Sequence, residues 1–287
     1  MAVMYCILTQ NPPDWNNVQL KNALEKKGKE VLILRITDLV ASNAEKPRIK
    51  NLTFELDSFE KVFVRGIPGG SLDQIIYRMD VLHRLENLGV ECINSASSIE
   101  KCTDKYYASS LLEDAGLRVP KTVCCETYED AFAAFLEMRD IVIKPLFGSQ
   151  GMGIVRINDE DSAYRIFRSL ELHRYVFYIQ EYLEHNNEDI RILVCRDEII
   201  SSMKRKSDSW KTNVSRGARV ERITPDEEMK EMAHMASKTL GCHYSGVDIL
   251  ESSGKIFVLE VNAIPAWHGL QRVTDFDIAP RLVELLG

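Results

Sequence analysis

The alternation of short apolar runs with amphipathic segments in the first ninety or so residues limits the folds open to this chain more than any other feature. It predicts strands at 3–8, 31–36, 61–64 and 90–93, and helices at 16–27 and 72–88. Gly28 and Gly89 follow the two helices, and glycine commonly ends a helix. Because strands joined through helices usually run parallel, this region predicts a small parallel α/β sheet.

After residue 94 the pattern changes to helices mixed with hairpins. It predicts helices at 103–115, 128–138, 161–172 and 225–240, and strands at 121–125, 141–144, 154–157, 176–181, 190–195, 198–204, 247–251 and 255–260. Strand pairs with tight polar turns between them are typical of antiparallel hairpins. We therefore expect a mixed α/β and α+β protein with three modules, at 1–94, 95–182 and 183–287.

Composition excludes several classes of protein. Apolar residues make up 45% and charged residues 28% of the 287 residues, as in ordinary globular proteins, which excludes a disordered tail or a collagen-like repeat. A net charge of −7 argues against general nucleic-acid binding, and no apolar run is long enough to span a bilayer. The seven cysteines form no CxxC pair, so we expect reduced thiols in a cytoplasmic protein without nucleic-acid or membrane partners.

A glycine-rich segment at 141–153, IVIKPLFGSQGMG, is the sharpest local motif. A buried strand ends at Lys144, and a loop with Gly148, Gly151 and Gly153 leads into the next strand. Glycines allow main-chain N–H groups to approach a phosphate closely. The segment is not a Walker loop, because Ile154 stands where that motif has lysine. A phosphate-binding loop and a plain hairpin loop with a lysine at its rim both remain open.

Three oxygen-bearing side chains are predicted to converge on the last hairpin. Asp248 lies in GVDIL, and Glu260 and Asn262 lie in LEVN on the neighbouring strand. Glu260 and Asn262 are two residues apart and therefore face the same side of the sheet. Carboxylate and amide oxygens suit Mg²⁺, so this face is a candidate metal site; ordinary solvent-facing strand positions are the alternative.

Residues 203–219 are rich in lysine and arginine within an acidic chain. Such a patch could bind an anion such as a triphosphate, or it could be a solvated surface loop.

Taken in order, these features resemble the ATP-grasp superfamily, and within it the RimK-like amino-acid ligases. The matching motifs are Asp104-Lys105, Lys144 with its glycine loop, Gln180-Glu181-Tyr182-Leu183, Asp189-Ile190-Arg191, Arg205, Lys211-Thr212-Asn213 with Arg216-Gly217, Gly246-Val247-Asp248 and Leu259-Glu260-Val261-Asn262. The resemblance implies an ATP-grasp fold, in which two α+β subdomains clamp a nucleotide behind an N-terminal pre-ATP-grasp α/β domain.

The resemblance also implies roles for individual residues. The nucleotide-binding residues would be Lys105, Lys144, Gly148, Ser149, Gly151, Gly153, Gln180, Glu181, Tyr182, Leu183, Asp189, Lys211, Thr212 and Asn213. The two lysines and the glycine loop would contact phosphates. In the hinge at 180–183, Glu181 with the main chain of Tyr182 and Leu183 would read the adenine, and Asp189 would lie near the ribose. The segment Lys211-Thr212-Asn213 would line the triphosphate side. Asp248, Glu260 and Asn262 would hold two Mg²⁺ or Mn²⁺ ions, and Arg205 and Arg216 would be the catalytic residues.

The activity implied by the resemblance is ATP-dependent ligation of L-glutamate to a small-molecule acceptor carboxylate through an acyl phosphate. The chain looks most similar to RimK-like proteins associated with tetrahydromethanopterin-type cofactors. Arg65 and Arg78 are expected to face the cleft and hold an anionic acceptor, although Arg78 equally suits a surface helix. Relatives are often dimers or tetramers, so a homo-oligomer is an expectation that the sequence does not fix.

Other functions remain open on the sequence. The same ligation could act on a deazaflavin coenzyme, a ribosomal protein tail or an amino-acid carrier protein. A non-catalytic ATP-binding module, or a kinase that phosphorylates a hydroxyl group, could use the same scaffold.

Overall fold

The computed structural model describes residues 4–44, 46–148, 153–212 and 217–287. The first part of the chain contains β1 (Met4–Thr9), α1 (Trp15–Lys26), β2 (Glu30–Arg35), β3 (Val40–Ala41), β4 (Ile49–Lys50), β5 (Lys61–Val64), α2 (Leu72–Asn87) and β6 (Glu91–Ile93). Four of these strands form a parallel sheet in the order β2-β1-β5-β6, as the sequence predicts. The short ribbon of β3 and β4 was not predicted.

The middle of the chain contains α3 (Ala96–Thr103), α4 (Lys105–Asp114), β7 (Thr122–Cys125), α5 (Tyr128–Met138), β8 (Ile141–Lys144), β9 (Val155–Ile157), α6 (Glu160–Leu172) and β10 (Phe177–Glu181). The strands form an antiparallel sheet in the order β7-β10-β8-β9. The predicted helix at 103–115 is confirmed as α4, which begins two residues later, whereas α3 before it was not predicted. The Asp104 carboxylate accepts a bond from the main-chain N–H of Tyr107, so Asp104 begins α4 as its N-cap.

Side chains of this middle sheet alternate between a core and a cleft. Ile143 of β8 and Ile179 of β10 pack with α5 and α6 in one apolar cluster. Lys144 and Gln180, one residue further along each strand, line the cavity on the opposite face. The two-residue period of a strand thus places the strand lysine in the cleft.

The last part contains β11 (Glu188–Cys195), β12 (Glu198–Lys206), β13 (Arg219–Arg222), α7 (Glu227–Thr239), β14 (Tyr244–Ser252), β15 (Lys255–Asn262), α8 (His268–Gln271) and α9 (Ile278–Leu286). Its antiparallel sheet has the order β13-β12-β11-β14-β15. One face packs on α7, and part of the other contributes to a core with α1 and α9. Neither β13 nor α9 was predicted.

Across the described ranges, we find no helix with both the length and the apolarity to cross a bilayer.

The amide of Asn94 joins the N-terminal sheet to the C-terminal sheet. Its Nδ2 donates to the carbonyl oxygens of Tyr244 (2.7 Å) and Ala263 (2.5 Å), and its Oδ1 accepts from the main-chain N–H groups of His243 (2.6 Å) and Tyr244 (3.2 Å). Asn94 is fully buried, so these partners have no access to water as a substitute.

We expect Asn94→Ala to lower the free energy of unfolding by about 3 kcal/mol, because it leaves several buried main-chain groups unpaired. Urea unfolding followed by tryptophan fluorescence measures the change. Asn51→Ala is the matched control, since the Asn51 amide accepts bonds from Thr53 and Phe54 in a surface turn and its loss should cost about 1 kcal/mol or less. Equal losses in the two variants would contradict a special role for Asn94.

Candidate active site

A cleft between the two antiparallel sheets gathers most of the predicted site residues. One cavity there is lined by Lys144, Gln180, Glu181, Tyr182, Leu183, Asp189, Arg205, Lys211, Thr212, Asp248 and Glu260. Its apolar walls are supplied by Pro120, Val142, Ile154, Leu183, Leu250 and Leu259. Apolar walls beside a few convergent charges are typical of a small-molecule site.

The hinge after β10 is held by main-chain bonds. The N–H groups of Glu181 and Tyr182 donate to the carbonyl oxygens of Lys121 and Asp140, both at 2.9 Å. The Glu181 carboxylate accepts the main-chain N–H of Lys121 at 2.7 Å. These contacts fix the hinge beside the cavity, which Leu183 also lines.

Two aromatic residues at this end of the cavity were not predicted. His185 and Trp210 both line it, and the rings of Tyr182 and Trp210 lie 6.1 Å apart. His185 Nε2 lies 3.0 Å from the carbonyl oxygen of Trp210. Trp210 directly precedes the predicted Lys211-Thr212 pair, and that neighbourhood is the one sequence signal that could have found it.

Two lysines on different elements lie near the start of the glycine-rich loop. Lys144 Nζ donates to Gln180 Oε1 at 2.5 Å, and Lys105 Nζ donates to the carbonyl oxygens of Leu146 (3.2 Å) and Gly148 (2.8 Å). Burial lowers the pKa of Lys144 to about 8, and it also lowers the pKa of Lys105. Desolvated ammonium groups with lowered pKa values gain strongly from an anionic partner.

The described ends of that loop have left-handed backbone, with φ of 141° at Gly148 and 74° at Gly153. A residue with a Cβ rarely adopts such angles, which explains the two glycines. The predicted loop residues Ser149 and Gly151 lie outside the described residues, as do Asn213 and Arg216 of the basic segment.

Strand register places charged side chains in a row across the C-terminal sheet. Arg191 of β11 pairs with Asp248 of β14, which pairs with Glu260 of β15, so the predicted adjacency of the two carboxylates is confirmed. The Arg191 guanidinium bonds both oxygens of Asp248, with Nη2 to Oδ2 at 2.7 Å. A Cβ on Gly246 would lie 2.9 Å from Arg191 Nη1, so this glycine leaves room for the arginine.

Arg205 bridges two buried carboxylates beside this row. Its Nε and Nη2 donate to Asp189 Oδ1 (2.6 Å) and Oδ2 (2.5 Å), and Nη2 lies 3.1 Å from Asp248 Oδ1. Thr212 Oγ1 also donates to Asp189 Oδ2 at 2.6 Å. Both oxygens of Asp189 therefore have protein partners, and the ribose contact stays a prediction.

The three carboxylates differ in their electrostatic state. Burial raises the pKa of Asp189 despite the Arg205 charge. Burial alone would raise the pKa of Asp248 as well, but Arg191 and Arg205 hold it below its usual value. Burial, followed by the neighbouring Asp248 charge, raises the pKa of Glu260. Asp189 and Asp248 form ion pairs with arginines, whereas Glu260 has no such pair among the residues that the structure describes.

The donor set at Glu260 fits a divalent cation. With the Asn262 amide in the orientation that satisfies both of its atoms, Nδ2 donates to Glu260 Oε1 at 3.0 Å and the oxygen accepts from Arg191 Nη2 at 3.3 Å. Two carboxylates and an amide offer hard oxygen ligands, and a cation would relieve the unfavourable charge of Glu260. Asp248 would share its oxygens with Arg191 and Arg205, and Asn262 would share its oxygen with Arg191. Within the described ranges, no three His, Cys, Asp or Glu side chains cluster as a metal site. A cation bound here would therefore need the Asn262 amide oxygen as a ligand beside the two carboxylates.

Arg65 and Arg78 do not point into the cleft as expected. Arg65 Nη1 donates to Tyr244 Oη and to the carbonyl oxygen of Pro265, both at 2.9 Å, and its guanidinium lies 4.7 Å from the Trp267 ring centre. Arg78 Nη1 donates to the Pro68 carbonyl oxygen at 2.6 Å. Both arginines are over 90% buried, so they support loops and that expectation was wrong.

Comparison with known proteins identifies the family. Residues 102–286 match the RimK-like ATP-grasp domain, and residues 3–99 match the RimK PreATP-grasp domain. A tetrahydromethanopterin:alpha-L-glutamate ligase of Methanococcus maripaludis is 33% identical over 94% of each chain, and one of Methanocaldococcus jannaschii is 34% identical over 92% of each.

Solved structures agree at the level of the fold. The RimK domain ATP-grasp protein of Sphaerobacter thermophilus has a TM-score of 0.78 at 19% identity, covering 99% of this chain and 100% of that one. The ATP-grasp ligase PsnB, solved with a minimal precursor, Mg and ADP, has a TM-score of 0.75 at 21% identity, covering 98% and 96%. The family matches, which span both the N-terminal sheet and the cleft, show that this chain belongs to the RimK-like ATP-grasp ligases.

Proposed function

We propose that the protein is an ATP-dependent ligase that joins L-glutamate to the carboxylate of a tetrahydromethanopterin-type pterin. The strongest support is the convergence of Lys144, Asp248 and Glu260 in one cavity with apolar walls, with Lys105 near enough to Lys144 and Glu260 to influence their charges. The pterin is supported by the names of the two methanogen relatives.

The nucleotide would lie with its purine between the apolar walls of the cavity. The hinge carbonyl oxygens and Leu183 would contact the base, while Lys144 and Lys105 would contact phosphate oxygens. A divalent cation bound by Glu260, Asn262 and Asp248 would neutralise phosphate charge and orient the terminal phosphate. Charge neutralisation and alignment are the main needs of phosphoryl transfer.

The reaction then follows in two balanced steps. An acceptor carboxylate oxygen attacks the γ-phosphorus, the bond to the bridging oxygen breaks, and ADP leaves with that electron pair. The glutamate nitrogen attacks the resulting acyl phosphate, an amide forms, and inorganic phosphate leaves as the amine proton is released. Lys144 would remain against the phosphates during both steps; Arg205, together with Arg216, stays our candidate for steadying the transferred group.

A product assay tests this function. The protein is incubated with ATP, Mg²⁺, glutamate and one acceptor at a time: a tetrahydromethanopterin-type pterin, a deazaflavin coenzyme, or a peptide with a terminal glutamate. We expect ADP, phosphate and a glutamyl mass increment on the pterin. Omission of glutamate is the control. An increment only on another acceptor would reassign the substrate, whereas a phosphorylated product, or no ADP with any acceptor, would contradict the ligase.

The pH dependence of nucleotide affinity tests the role of Lys144. Because burial lowers its pKa to about 8, Lys144 loses its charge above that pH and contributes less to phosphate binding. We expect the Kd for ADP to rise above pH 8, approaching about tenfold per pH unit, with proton uptake on binding. The free protein should instead gain stability between pH about 8 and 10.5, where the unfolded chain binds the proton and the native chain does not.

Calorimetric titration in two buffers of different ionisation enthalpy measures both the Kd and the proton uptake. Lys144→Met should bind ADP more weakly and lose the proton uptake. Lys121→Met, at an exposed lysine paired with Glu137, should retain it. Proton uptake that persists unchanged in Lys144→Met would assign the titration to another group.

A further inference from the structure

Two cysteines that the proposed reaction does not use are in direct contact. The Sγ atoms of Cys102 and Cys242 lie 3.5 Å apart, although 140 residues separate them in sequence. Cys102 lies in the last turn of α3, and Cys242 lies between α7 and β14. Both residues are partly accessible to solvent.

We propose that Cys102 and Cys242 form a reversible disulfide that fastens α3 to the start of β14. Bond formation requires the sulfurs to approach to about 2.05 Å, which is within the reach of side-chain rotation and small backbone shifts. The oxidant is a small-molecule disulfide. One protein thiolate attacks it and releases the first small thiol, and the second protein thiolate displaces the other. Two electrons pass to the reagent, which leaves as two thiols.

Among the residues that the structure describes, the other five cysteines have no cysteine sulfur in contact. Cys6 of β1 and Cys92 of β6 are each in register with Val62 of β5, which lies between them. Their main chains are therefore two strand spacings apart, or about 9.6 Å. Cys124 and Cys125 are neighbours on β7, where successive side chains point to opposite faces. Cys195 is fully buried in β11. We therefore expect oxidation to link Cys102 with Cys242 rather than any other pair of cysteines.

Hydrogen bonds hold the main chain on both sides of the thiol pair. Ser98 Oγ of α3 donates to the Gly241 carbonyl oxygen at 2.7 Å, and Asn94 accepts from the N–H of His243 at 2.6 Å. These bonds fix the two segments against each other before any oxidation. The disulfide would then close a 140-residue loop, and long loops give the largest restriction of the unfolded chain.

The surroundings of the two thiols affect how fast the disulfide forms. Contact with Cys242, followed by burial, raises the pKa of the Cys102 thiol. Because the thiolate is the attacking form, the raised pKa slows attack by Cys102 at neutral pH.

Oxidation of the full chain with oxidised glutathione tests the proposal. After alkylation of free thiols and digestion, mass spectrometry should find a peptide linked through Cys102 and Cys242 as the main product. The thermal midpoint should rise by on the order of 5–10 °C and fall back on reduction. Cys102→Ser should lose both effects, and Cys242→Ala provides a second variant. Cys125→Ser is the matched control and should keep both.

Three outcomes would overturn the proposal: glutathione adducts without the linked peptide, a main linkage through any other cysteine, or an equal rise of the midpoint in Cys102→Ser.

Discussion

Glu260→Gln is expected to lower turnover by about a thousandfold or more while the protein remains folded. The substitution preserves side-chain size but removes the charge that would bind the divalent cation and, through it, the terminal phosphate. Burial and the Asp248 charge already raise the pKa of Glu260, so the neutral amide should leave the thermal midpoint unchanged or slightly higher. Loss of function without loss of stability is the expected signature of a ligand-binding carboxylate.

Steady-state release of ADP measures turnover, and thermal unfolding measures stability. Glu251→Gln is the matched control because Glu251 is an exposed residue of the same hairpin, paired across it with Ile256. It should retain activity within about twofold. If Glu260→Gln also stayed within tenfold of the native rate, Glu260 could not be the main cation ligand.

Arg205→Met is expected to lower the free energy of unfolding by about 3–5 kcal/mol. The substitution removes the guanidinium that lies between the buried carboxylates of Asp189 and Asp248. The loss should be smaller at pH 5 than at pH 8. Asp248 keeps its ion pair with Arg191, but Asp189 loses the arginine that opposes the effect of burial on its pKa. Without Arg205, Asp189 binds a proton more strongly in the native state than in the unfolded chain, so stability rises as the pH falls.

Chemical denaturation at both pH values measures this effect. Arg222→Met on the adjacent strand is the matched control, since Arg222 forms an ion pair with Asp275 in which the side chains are 61% and 68% exposed. Exposed pairs contribute little, so this variant should lose less than about 1 kcal/mol. If the free energy of unfolding fell by a similar amount in both variants, the buried ion pairs of Arg205 with Asp189 and Asp248 could not be the reason for its effect.

Secondary structure that was missed is short or depends on partners distant in sequence. α9 packs with α1 and with the core beneath β11, and β13 exists by pairing with β12. Short helices and edge strands have little stability of their own, so their formation follows from contacts that a local pattern does not contain.

The sequence by itself determined the strand periods, the order of the elements and the adjacency of Asp248 and Glu260, because these depend on neighbours along the chain and on one short turn. Only the tertiary structure decided that Arg205 joins Asp189 to Asp248, that Arg65 and Arg78 support loops, and that the pKa of Lys144 falls to about 8. Hydrogen-bond partners and desolvation depend on which groups the packed sheets bring together in space, and residues far apart in the chain supply those groups.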